Sequence, residues 1–94
     1  MTNENDRALA RRSARPRIVV YSRAWCHLCD DLLTQLAPLG AEFGASIEVV
    51  DLDQHPELED RYGERVPVLL ADNRELCHYF LDAPAVRAYL TEFR

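Results

Sequence analysis

Two cysteines separated by two residues, Cys26 and Cys29, are the side chains with the clearest chemical capacity in this chain. They follow the apolar run at residues 18–21 and open a stretch with helical periodicity, so the pair falls at a predicted strand-to-helix junction. Backbone N–H groups at a helix N-terminus are unpaired and favour negative charge. Such an environment lowers the pKa of a thiol and populates the nucleophilic thiolate. The spacing therefore predicts reversible thiol–disulfide chemistry.

Within the pair, the sequence predicts that Cys26 attacks and Cys29 resolves. Residues three apart share a helix face, so the two sulfurs can meet in a disulfide. Attack on a substrate gives a mixed disulfide, and the second thiol releases it. His27 and Arg23 are candidates to modulate the thiolate, although His27 fits an exposed linker role equally well.

The remaining pattern predicts the elements that position this pair. Leucines recur every three or four residues after the cysteines, and Pro38 is expected to kink or end that helix near Ala37. A strand–helix–strand crossover is right-handed, which makes its two strands parallel. The short helix is expected to close at Gly63, and Tyr62, Phe80 and Cys77 are expected inside. The predicted elements are strands at 17–22, 47–52, 66–71 and 75–80, with helices from about residue 26, at 57–62 and after Asp82.

This order, β-α-β-α-β-β-α, predicts an α/β sandwich around a four-stranded mixed sheet. The chain of 94 residues has a net charge of −5, with a basic segment at residues 1–16 and an acidic remainder at 17–94. We expect a disordered arm followed by one domain. The acidic body argues against a nucleic-acid partner. No apolar segment predicts a signal peptide or a membrane span, and the odd cysteine count favours a cytoplasmic protein. We expect the protein to be a monomer.

Over residues 17–93 the chain resembles the glutaredoxin branch of the thioredoxin-like superfamily, and most closely its short bacterial glutaredoxin-like proteins. The resemblance rests on the C-x-x-C at the helix start, on Val66-Pro67 opening the third strand, and on the β-β-α ending. It implies a cis peptide bond at Pro67 beside the cysteine pair. It also implies that the Val66 backbone faces an extended substrate. Trp25 is a candidate to shield the sulfur or to offer an apolar docking face, although a packing role fits this aromatic residue equally well.

The departures from the family pattern concern glutathione. Arg65 replaces the Thr that precedes Val-Pro, and the usual Gly-Gly is replaced around Cys77-His78-Tyr79. Arg23 and Arg65 are the cationic side chains that the resemblance places near substrate. The implied substrates are a protein disulfide or a glutathione mixed disulfide. The implied electron donors are glutathione or a thioredoxin-reductase-like flavoprotein, with no bound cofactor.

Two other functions compete with this prediction. Cys26, Cys29, Cys77 and His78 would offer three sulfurs and one imidazole to zinc, and relatives of glutaredoxin also hold iron–sulfur clusters. Alternatively, the fold serves as a redox-inactive adaptor, because a fold does not fix a function.

Overall fold

A computed structural model describes residues 15–93. The predicted disordered arm lies outside the described residues, except for its last two positions. Every predicted strand and helix is present. The first strand has its predicted bounds, and the other bounds shift by at most two residues, apart from the end of the first helix. The strands are β1 (Arg17–Ser22), β2 (Ser46–Asp51), β3 (Val68–Ala71) and β4 (Arg74–His78), and the helices are α1 (His27–Phe43), α2 (Glu59–Tyr62) and α3 (Ala83–Phe93).

The four strands form one mixed sheet, as the sequence predicts, and their order is β2-β1-β3-β4. β1 is parallel to β2, whereas β3 runs antiparallel to both β1 and β4. In this register Val68 lies opposite Tyr21 on one side and His78 on the other. The segment that carries the cysteines leaves β1 at this end of the sheet, which we call the dithiol end. The opposite end, where β3 turns into β4, is the hairpin end.

Alternation along the strands divides the core between the two faces of the sheet. One face packs against α1 and α3, and the other packs against α2 and the segment that precedes it. The smaller cluster is built from Leu52, Tyr62, Val68 and Leu70, which confirms Tyr62 as a core residue. The larger cluster contains Ile18, Val20, Leu32, Leu36, Leu39, Leu69, Ala71, Val86, Tyr89 and Leu90.

The expectation that the helix ends near Ala37 is wrong, because α1 continues through Pro38 to Phe43. Pro38 is exposed while Leu36 and Leu39 are buried, so the ring lies on the solvent side of the leucine stripe. There, water can hydrate the carbonyl that the missing N–H leaves free, and packing of the stripe outweighs one lost hydrogen bond. The helix ends at Gly44, which adopts the left-handed conformation with φ 65°.

The placement of Phe80 in the core is also wrong, because 69% of its surface is exposed. The prediction assumed that strand alternation continues to residue 80. β4 instead ends at His78, and Tyr79 turns the backbone with φ 63°. Phe80 therefore lies beyond the sheet, where the alternation no longer directs it inward.

Candidate active site

The two cysteines form a disulfide at the first turn of α1, with Cα atoms 5.2 Å apart. This separation is ordinary for a disulfide. Cys26 is the N-cap of the helix, and its Sγ accepts a hydrogen bond from the backbone N–H of Cys29 at 3.2 Å. Cys29 is 1% exposed, whereas Cys26 is half-buried. An approaching sulfur can therefore reach Cys26 more readily than Cys29.

The cis-proline lies at the same end of the sheet. The Val66–Pro67 peptide bond is cis, as the resemblance implies. Pro67 is buried and immediately precedes β3, and its carbonyl accepts a hydrogen bond from the Tyr79 N–H at 2.9 Å. The register thus brings Val66 and Pro67 to the dithiol end, together with the start of α1.

Arg23 is held by two carboxylates, an arrangement that we call the Arg23 clasp. One Nη donates to Asp53 at 2.5 Å, and the other donates to both carboxylate oxygens of Glu59 at 2.8 and 3.0 Å. The hydrogen bond to Glu59 is the main cause that raises the pKa of the guanidinium. The clasp ties the segment before Cys26 to the segment after β2 and to α2. Its guanidinium charge is therefore compensated within the protein.

Gly63 is the position where a side chain would displace Glu59 from the clasp. A Cβ there would lie 1.7 Å from a carboxylate oxygen of Glu59 and 3.1 Å from Nη2 of Arg23. The residue does follow α2 at the C-cap, as expected, but its φ of −56° is ordinary for any amino acid. Space, rather than backbone conformation, explains the glycine.

Arg65 also has intramolecular partners. Its guanidinium pairs with Glu75, donates to the Arg61 carbonyl at 2.8 Å, and lies over the Tyr62 ring at 5.6 Å. Both arginines that the sequence places near substrate therefore already bind carboxylates of the protein. Their contact with substrate remains a prediction.

Three aromatic side chains at the dithiol end form a feature that we call the aromatic rim: Trp25, Tyr79 and Phe80. The sequence predicted a docking role for Trp25, whose side chain is fully exposed. It did not single out the other two as functional. The one available signal was the loss of the family's Gly-Gly pattern around Cys77-His78-Tyr79. Tyr79 is 39% exposed, and its hydroxyl donates to the Glu64 carbonyl at 2.9 Å.

The remaining candidate residues are Cys77, His78 and His27. Cys77 is half-buried in β4, and burial raises the pKa of its thiol. His78 lies 2.9 Å from a Glu75 carboxylate oxygen, and His27 is exposed at the start of α1. Across residues 15–93, no group of three or more His, Cys, Asp or Glu side chains is placed to hold a metal ion. None of the helices in this range is long and apolar enough to cross a membrane.

A mixed four-stranded sheet, a cysteine pair at the start of its first helix and a cis-proline before the third strand define a thioredoxin-fold protein. Residues 17–91 match the model of one family within this class, the Glutaredoxin-like domain (DUF836). The chain belongs to this family.

Relatives and solved structures agree with this assignment. An uncharacterized protein of Mycobacterium tuberculosis is 34% identical over 80 residues, which are 80% of this chain and 82% of the relative. The solution structure of a Nitrosomonas europaea protein has a TM-score of 0.74 and 36% identity, covering 95% of this chain and 98% of that one. A crystal structure of an X. campestris protein has a TM-score of 0.65 and 39% identity, covering 80% of this chain and 96% of that one. Chloroplastic thioredoxin z is 16% identical and shows the shared fold, with a TM-score of 0.65 over 99% of this chain and 90% of that one.

Proposed function

We propose that this protein is a thiol–disulfide oxidoreductase that reduces or exchanges disulfides through Cys26 and Cys29. The observation that carries the proposal is the disulfide at the helix N-terminus, in which Cys26 is half-buried and Cys29 is fully buried. The N–H of Cys29 already points at the Cys26 sulfur. In the reduced protein the same N–H group would stabilise a thiolate on Cys26.

The reaction proceeds in two exchange steps. The Cys26 thiolate attacks one sulfur of the substrate disulfide, which forms a mixed disulfide and releases the first substrate thiolate. Cys29 then loses its proton and attacks the Cys26 sulfur. The Cys26–Cys29 bond forms, and the second substrate thiolate leaves and takes up a proton. Two electrons have passed from the protein to the substrate.

Return to the dithiol requires an external reductant. One candidate is glutathione, of which two molecules together supply the two electrons that reduce the disulfide and become glutathione disulfide. The other is a thioredoxin-reductase-like flavoprotein, which supplies the same two electrons. The proposed substrates are protein disulfides or glutathione mixed disulfides. The proposed compartment is the cytoplasm, where reducing systems maintain such a cycle.

Equilibration in graded glutathione buffers tests the proposal. The protein is acid-quenched, its free thiols are trapped, and its peptides are weighed by mass spectrometry. We expect a reversible Cys26–Cys29 disulfide with Cys77 free. Cys29→Ser should accumulate a mixed disulfide on Cys26, whereas Cys26→Ser should not react. A pair that never oxidises would exclude the oxidoreductase, and metal content of protein purified without chelator then tests the zinc and iron–sulfur alternatives.

A further inference from the structure

The aromatic rim holds two bulky residues in a backbone conformation that their residue types disfavour. Trp25 has φ 61° and Tyr79 has φ 63°, in the left-handed region that suits Gly, Asn and Asp. Trp25 recovers none of this cost through burial, because its side chain is fully exposed. A costly conformation that contributes nothing to packing points to a role in function.

Tyr79 is fixed so that the residue after it faces solvent. Its N–H is bound to the Pro67 carbonyl and its hydroxyl to the Glu64 carbonyl, each at 2.9 Å. The Phe80 N–H donates to the His78 carbonyl at 2.7 Å, which closes a three-residue turn. Tyr79, with its positive φ, is at the centre of this turn, and such turns are rare. The turn places Phe80 beside the cis-proline end of the sheet.

Exposed large apolar side chains concentrate at this end of the molecule. Four are substantially exposed within residues 15–93, and only Val49 lies outside the rim. Single exposed apolar residues are common, whereas several grouped beside a reactive centre mark a binding surface. The rim is therefore suited to apolar groups next to the scissile disulfide.

The charges at the dithiol end limit which partner fits. Arg23 and Arg65 are compensated by carboxylates of the protein. Asp30 and Asp31 are exposed in the first turn and a half of α1, and no ion pair within the described residues engages either. An anionic disulfide such as oxidised glutathione would meet uncompensated negative charge here. A neutral or cationic peptide would not be repelled by this charge.

We propose that the aromatic rim selects protein substrates in which apolar side chains flank the disulfide on a neutral or cationic segment. This inference rests on the proposed function and names its substrate class. The bonds made and broken are those of the two exchange steps above. Trp25 and Phe80 determine specificity, and Tyr79 holds Phe80 in place.

Three disulfide probes test the selection. The first is a capped peptide disulfide with Leu and Lys beside each cysteine, the second has Ser in place of Leu, and the third is oxidised glutathione. Rate constants for oxidation of the reduced protein are measured by quench and thiol trapping. We expect the leucine peptide to react fastest. Phe80→Ser should slow the leucine peptide about tenfold and leave the other two unchanged, because it removes the aromatic surface that the leucine buries.

Val49→Ser is the matched control, since it removes an exposed apolar side chain from the edge strand β2 and should change no rate. Trp25→Asn, which suits the backbone at that position, should repeat the Phe80→Ser pattern. Equal rates for the two peptides, or equal slowing of all three probes by Phe80→Ser, would overturn the inference while the dithiol chemistry stands. Failure of all three probes to oxidise the wild-type protein would instead overturn the proposed function, and this inference with it.

Discussion

The two ends of the sheet use the same unusual backbone conformation with different residues. At the hairpin end, Asp72 and Asn73 turn β3 into β4 with φ of 51° and 61°. At the dithiol end, Trp25 and Tyr79 adopt φ of 61° and 63°. Asp and Asn tolerate this region and are favoured in tight hairpins, whereas large aromatic residues are not.

The difference separates what serves the fold from what serves the chemistry. At the hairpin end the residue types agree with the backbone, and Gly44 ends α1 there in the same way with φ 65°. At the dithiol end the residue types disagree with the backbone and also remain exposed. Local disagreement of this kind is expected where function, rather than folding, selects the residue. Each of the following substitutions should affect one end and spare the other.

The largest contrast is expected between two glycines. At Gly44 an alanine meets nothing within 4 Å, but φ 65° makes it strained, so Gly44→Ala should lower the free energy of unfolding by about 1–2 kcal/mol. At Gly63 an alanine meets the flexible end of Glu59, which can swing out of the clasp, so Gly63→Ala should cost less than about 1 kcal/mol. The reduction potential of the cysteine pair should show the opposite order, with a change in Gly63→Ala and none in Gly44→Ala.

Gly63→Ala should raise the reduction potential, because displacing Glu59 leaves the Arg23 charge less compensated three residues before Cys26. A positive charge there stabilises the thiolate and hence the reduced form. Gly44→Ala should leave the potential unchanged. Urea unfolding and glutathione equilibration measure the two quantities, and Glu59→Gln should reproduce the rise without crowding Gly63. An equal change of potential in both alanine variants would contradict the assignment of the clasp to the dithiol end.

Substituting a residue of positive φ at each end should change the free energy of unfolding by smaller amounts and with opposite signs. Trp25→Asn removes a side chain that packs against nothing and relieves its backbone, so we expect the free energy of unfolding to rise by up to about 1 kcal/mol. Asn73→Ala places a less tolerant residue in the hairpin and should lower it by about 1 kcal/mol. Urea unfolding decides both. Loss of stability in Trp25→Asn would show that Trp25 serves the fold after all.

The sequence was sufficient for the fold because its strongest signals are local and repeated. The leucine stripe of α1 and the apolar strands specify the layers. The cap at Asp82 is visible in the same way, and its Oδ1 accepts the Ala85 N–H at 3.1 Å. The cysteine spacing and Val66-Pro67 located the site.

What the sequence could not predict depends on neighbours distant in the chain. The Arg23 clasp joins residues 30 and 36 positions apart, so the sequence gives no indication that Arg23 pairs with Asp53 and Glu59. The exposure of Phe80 depends on where β4 ends, and the hydrogen bonds of Tyr79 to Pro67 and Glu64 fix that point. Neither leaves a periodic signal in the sequence.

The smallest effect is expected at Cys77, which lies in β4 between the two ends. Burial, the leading cause, raises the pKa of this thiol in the folded protein above its ordinary value of 9.0. A raised thiol pKa contributes stability that is fully present below the unfolded pKa and is lost as pH rises through the folded one. Urea unfolding of the wild-type protein should therefore show a decline above about pH 9 that Cys77→Ala reduces. Tyr21 and Tyr89, whose pKa values burial also raises, contribute equally to both proteins and cancel in the difference.

Alkylation of the reduced protein at pH 8 gives the matching kinetic test, in which Cys26 should react before Cys77. If Cys77 reacted first, the thiolate would not be concentrated at the helix N-terminus, and the dithiol end would lose its chemical distinction from the rest of the sheet.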